Sequence, residues 1–192
     1  MSEMEVAMMH QDYVAFPETA VDFEALGLSP VGVVREDDGP WHPLAIDAQR
    51  NAFAVVGGEA VPLPPEKAGP AIYAALDETC ERLWGNSWNS AVGEIFRMNR
   101  RTTQRDRVSR NLLPPAVLQA ISYVACADEA PEFAEALLAM ARLSAKFGNE
   151  EGLVRRQWQA VADVYFGDAS PELGAVADER PTWRRPRKPV SE

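Results

Sequence analysis

The sequence predicts a mainly α-helical protein, a helical bundle that contains a helix-turn-helix and is preceded by a small β-containing N-terminal region. Three observations lead there. From residue 70 to residue 166 apolar residues recur at intervals of three and four, the signature of amphipathic helices. Before residue 63 they come in short runs broken by turn residues. Between the two lies Leu63-Pro64-Pro65-Glu66-Lys67-Ala68-Gly69-Pro70, whose three prolines and one glycine read as a boundary. The expected organisation is therefore an acidic region 1–68, a helical domain 69–167 and a tail 168–192.

In the first region Val31-Gly32-Val33-Val34 and Ala52-Phe53-Ala54-Val55-Val56 read as strands, and Gly57-Gly58 turns the second into a return strand Glu59–Leu63. Residues 17–28 predict a turn or a short helix begun by Thr19. Trp41-His42-Pro43 reads as a Trp-His pair packed at a turn, because no nucleophile or paired carboxylate stands near His42 at a catalytic spacing. Past the boundary, Ile72, Ala75, Leu76, Thr79, Cys80 and Leu83 form one apolar stripe, and Gly85-Asn86 stops that helix. Val117, Leu118, Ile121, Val124 and Ala125 define a helix after Pro114-Pro115. Phe133, Leu137 and Met140 mark the next, and Asn149 caps a last one bearing Leu153, Trp158 and Tyr165.

The segment that decides function is 97–110. It holds six arginines and one acid, net +5, whereas residues 1–96 carry four basic and sixteen acidic groups, net −12. A protein of net charge −10 can approach a polyanion only through a locally basic face, since charges beyond a Debye length of roughly 8 Å are screened. The spacing predicts a helix from Asn99, its N-cap, to Arg110, ended by Asn111. In front of it stands Trp88-Asn89-Ser90-Ala91-Val92-Gly93-Glu94-Ile95-Phe96. Gly93 there is the small residue that lets two helices cross, and Arg97-Met98-Asn99 is the turn.

Residues 70–125, with this small-x-x-apolar run, the Asn99-x-Arg101-Thr102 step, the arginine-rich helix and the Pro114-Pro115-led helix, resemble phage Cro/repressor-like regulators and the regulators that accompany anti-CRISPR genes. The chain departs from their pattern at three places. Arg97 stands where glycine is usual, Thr103 where Val or Ile is usual, and Asp106 where a large apolar residue is common. The resemblance implies a sequence-specific transcriptional regulator that binds double-stranded DNA as a homodimer.

Arg and Gln can each make paired hydrogen bonds to a base edge in the major groove. The predicted DNA-binding residues are Arg97, Asn99, Arg100, Arg101, Thr102, Thr103, Gln104, Arg105, Arg107 and Arg110. Gln104 and Arg105 are the base-reading candidates, Arg97, Arg107 and Arg110 the phosphate contacts, and Val108 should face the core. The helices between residues 131 and 166 carry a surplus of apolar side chains that suits either their own core or a dimer seam. The alternative to a regulator is an acidic inhibitor or adaptor whose first 68 residues bind a nucleic-acid-handling protein, with the helix-turn-helix for autoregulation.

No metal-ligand spacing, phosphate loop or nucleophile–base set is visible, so neither cofactor nor enzymatic activity is expected. Cys80 and Cys126 lie among apolar neighbours and read as buried free thiols. Met1-Ser2-Glu3-Met4-Glu5 is acidic where a signal peptide would be basic, and the expected location is cytoplasmic, away from membranes. The tail, with Arg180-Pro181-Thr182-Trp183-Arg184-Arg185-Pro186-Arg187-Lys188-Pro189, predicts a disordered segment, either an arm that lies along phosphates or in a minor groove or a solvated tail.

Overall fold

A computed structural model describes residues 4–8, 21–147 and 151–166. The tail 168–192, Thr19 and Asn149 lie outside the described residues. The chain forms two compact units, the first ending at Arg142 and the second beginning at Leu143.

The first unit holds a five-stranded antiparallel meander, β1 (Met4–Ala7), β2 (Ser29–Glu36), β3 (His42–Ile46), β4 (Ala52–Val56) and β5 (Glu59–Pro62), hydrogen-bonded in chain order. Helices α1 (Pro65–Trp84), α2 (Trp88–Ile95), α3 (Arg105–Val108), α4 (Pro115–Ala125) and the greater part of α5 (Ala130–Phe147) come after it; α6 (Glu151–Phe166) belongs to the second unit. This corrects the expected mainly helical bundle with a small β region: the sheet is a full layer of the fold. Val31, Leu44, Ile46 and Ala54 lie in one buried cluster with Ile72, Leu76 and Leu83 of α1, Trp88 and Val92 of α2, and Leu118 and Ile121 of α4. Sheet and helices thus close on one core, and the proline-rich stretch separates layers within it.

The alternation along β3 and β4 shows why. Leu44, Ile46, Ala52 and Ala54 point to the helices. Ala45, Phe53 and Val55 point the other way, where Val21, Phe23 and Leu28 cover them in a second small cluster. A sheet buried on both faces needs two sets of apolar positions, and these strands supply both. In β2 the register slips between Pro30 and Gly32, a bulge that skips Val31. The Val31 carbonyl accepts a hydrogen bond from the hydroxyl of buried Ser122 on α4, which ties the sheet to a helix far along the chain.

Two strands go beyond the expectation. β1 is only four residues, and β3 contains the His-Pro step that reads as a turn. Pro43 is tolerated because β3 pairs with β4 only from Leu44 onward, so its missing N–H costs nothing on that side. The boundary reading also changes. Pro64 and Pro65 open α1, as prolines can in a first turn, and Gly69 and Pro70 sit inside the helix. The predicted stripes of α1 and α4 are otherwise buried residue for residue.

Candidate nucleic-acid interface

α2 rests on α1 through a polar latch set in an apolar contact. Trp88, almost fully buried, donates its indole N–H to Asp77 Oδ1 at 2.8 Å. Tyr73 packs its ring against the indole, centroids 6.5 Å apart, and its hydroxyl lies 3.5 Å from the same carboxylate oxygen. Burial, joined by the Asp77 charge, raises the phenol's pKa above its ordinary value, while the Arg105 charge pulls it the other way.

The end of α2 shows how Arg97 is placed. Phe96 N–H bonds to Val92 O, and Met98 N–H reaches back to Gly93 O at 2.9 Å, closing the helix in the manner that requires a left-handed residue between them. That residue is Arg97, with φ +51. The left-handed region costs a non-glycine residue about 1–2 kcal/mol. Gly93 has its own reason to be small: a Cβ added to it would stand 3.2 Å from Met98 O, so the turn passes directly over it. Arg97→Gly should therefore raise unfolding stability by up to about 1 kcal/mol. Denaturant titration measures the change, and a loss of stability would refute this account of the turn.

Asn99 caps the next turn, its Oδ1 accepting from Arg101 N–H at 2.9 Å. The predicted continuous helix from Asn99 to Arg110 does not form. Arg100–Thr103 make a 3-10 turn, Gln104 is extended (φ −70, ψ 143), and α3 adds a single further turn. The Thr103 hydroxyl donates to Arg100 O at 2.8 Å, a local bond that competes with helical pairing. Two adjacent β-branched residues and the mutual repulsion of neighbouring arginines act in the same direction.

Placement sorts the candidates. Arg97, Asn99, Arg100, Arg101, Gln104, Arg105, Arg107 and Arg110 are exposed, and Thr102 is half-buried. Thr103 is fully buried and is withdrawn as a DNA contact; it fills a core-facing position. Val108 is likewise buried, as expected, and anchors α3. Among the described residues, none of the six arginines is engaged in an ion pair. Glu94, the acid on α2, is taken by Arg142 at 2.7 Å, and that hydrogen bond holds its carboxyl below the usual carboxylate range.

Below α3 the backbone packs tightly on two other elements. Gly69 of α1 lies against Ser109 so closely that an added Cβ would sit 1.9 Å from Ser109 O. From the β3–β4 loop, Arg50 Nη1 donates to Leu112 O at 3.0 Å. Sequence reasoning missed both contacts, since nothing local marks residues 50 and 112 as neighbours.

Elsewhere, Cys80 is buried, with its thiol pKa raised by desolvation, while Cys126 is only half-buried. His42 lines an open cleft of about 260 Å³ together with Val56, Val61 and Leu63. Among the described residues, no helix is long and apolar enough to cross a membrane. Compared with family models, with curated proteins and with solved structures, the chain matches none.

Proposed function

We propose that the protein is a sequence-specific, double-stranded-DNA-binding transcriptional regulator of phage or mobile-element type, acting in the cytoplasm and reading the major groove with residues 99–107. The observation that carries this reading is the segment itself. Six arginines and Gln104 project from backbone that Gly93, Thr103 and Val108 fix to the scaffold, in a protein that is otherwise acidic. Preorganised donors on a fixed backbone suit base edges and phosphates alike.

Gln104 and Arg105 are the base readers in this scheme, and Arg97, Arg107 and Arg110 hold phosphates. After selection of a preferred site from random DNA, Gln104→Ala or Arg105→Ala should cost about 1–3 kcal/mol on that site and little on random duplex. Arg97→Ala and Arg110→Ala should weaken both alike. Equal losses on the two duplexes for Arg105→Ala would remove it from the reading set.

A single short recognition segment meets few bases, so the regulator acts as a homodimer on two half-sites about 34–36 Å apart. Tyr123, Phe133 and Met140 support this, because they leave an apolar patch on α4 and α5, with Tyr123 and Phe133 in edge contact at 6.3 Å. Sedimentation equilibrium at micromolar concentration tests it; a monomer mass there speaks against pairing.

A second reading, an acidic adaptor that binds a nucleic-acid-handling protein, is favoured by the cleft. It has apolar walls at Val56, Val61 and Leu63, and the turn bounding it carries the exposed acids Glu36, Asp37 and Asp38. Val61→Arg would abolish binding of such a partner and leave DNA affinity intact.

A further inference from the structure

We infer that Arg50, carried by the sheet and outside the helix-turn-helix, is a positioning residue for the recognition segment: its guanidinium ties the C-terminal end of that segment to the β3–β4 loop and so sets how α3 is presented. The inference rests on the reading that the protein binds DNA.

The tie is a chain of printed contacts between α3 and the sheet. Ser109 N–H bonds to Arg105 O at 2.9 Å and Asn111 N–H to Arg107 O at 2.8 Å, so the residues that follow α3 are wound onto it. Leu112 comes next, almost fully buried, and its carbonyl accepts from Arg50 Nη1 at 3.0 Å. That carbonyl needs a donor from elsewhere. Pro114 and Pro115, which open α4, have no N–H to offer, and a polar backbone group in a buried stretch costs free energy unless it is paired. The other end of the segment is fixed from within the motif, by the Arg97 turn that passes over Gly93. Arg50 supplies the second fixed end from 62 residues away in the chain.

The loop holds its arginine still. Asp47 accepts from the backbone N–H and the side-chain amide of Asn51, both at 2.8 Å, and Arg50 N–H closes back on Asp47 O at 3.0 Å. Arg50 itself adopts φ +70, a conformation that glycine or asparagine takes with less strain. A turn that had only to reverse the chain would be better served by either. The arginine is accounted for by what its half-buried side chain reaches, and a bond from a planar, charged donor fixes direction as well as distance.

The test combines DNA binding by the full chain, on the selected duplex and on a random duplex of equal length, with amide hydrogen exchange of the free protein. Arg50→Gly removes the bond while relaxing the left-handed backbone, so it separates position from overall stability better than alanine would. At a temperature where it is folded it should lose about tenfold on the selected duplex, the worth of one charge-donated hydrogen bond, and little on the random one. The amides of Ser109 and Asn111 should exchange faster, while that of Phe96, at the end of α2, should not change. Arg50→Lys keeps a charged donor on the same strained backbone and should recover most of the preference. Equal losses on the two duplexes, unchanged exchange at Ser109 and Asn111, or a Lys variant no better than the Gly variant overturns the inference and leaves the recognition segment standing, provided that Arg101→Gln weakens binding. If Arg101→Gln has no effect on either duplex, the DNA reading falls and this inference with it.

Discussion

Replacing Gly69 with alanine should destabilise the protein by about 3 kcal/mol or more, near the upper end of what overpacking costs. The added methyl would stand 1.9 Å from Ser109 O and 2.9 Å from Ser109 C, and all the nearest atoms are backbone. A side chain can swing away from such a clash, but a peptide unit held between α3 and the Arg50–Leu112 bond cannot. Alanine gains about 1 kcal/mol in helix propensity over glycine at an interior position, so a protein in which α1 did not touch Ser109 would become more stable instead. The sign of the change therefore decides the matter in a urea titration, with a raised midpoint refuting the contact. On the proposed DNA-binding reading affinity should fall as well, since α1 packs against the end of the segment 97–110.

That glycine illustrates what the sequence hides. With three prolines around it, Gly69 reads as punctuation, yet it serves close packing inside a helix. The helices were legible because their apolar stripes repeat locally: Ile72, Leu76, Thr79 and Leu83 need no partner to be recognised. The extent of the sheet was not. β3 is disguised by Pro43, β1 is one short run, and the contacts that weld the sheet to the helices span long separations, 62 residues for Arg50 and Leu112 and 91 for Val31 and Ser122. At the site, charge and spacing located the basic segment, the Asn99 cap and the inward Val108. The break at Gln104 escaped because periodicity cannot register one hydroxyl, that of Thr103, bonding back to Arg100 O.

Truncating Trp88 to alanine should cost about 3–5 kcal/mol, the range for removing a large buried aromatic. The indole is almost fully buried, packs against Tyr73 and supplies the hydrogen bond that binds α2 to Asp77 of α1. Trp88→Phe keeps most of the ring volume but deletes the donor. Asp77 is only half-buried and can turn towards water, so this change should cost less, about 1–2 kcal/mol. A double-mutant cycle of Trp88→Phe with Asp77→Ala isolates the bond, with an expected coupling of about 1 kcal/mol; additive losses would show that packing alone holds α2. The functional consequence comes from position. Trp88 begins the helix whose far end carries Gly93 and the Arg97 turn, so a shift of α2 on α1 moves the start of the recognition segment. If the protein reads DNA as proposed, Trp88→Phe, measured at a temperature where it remains folded, should bind the selected site less tightly while its affinity for random DNA changes little. On that reading, base contacts depend on the register that α2 sets, and phosphate attraction does not.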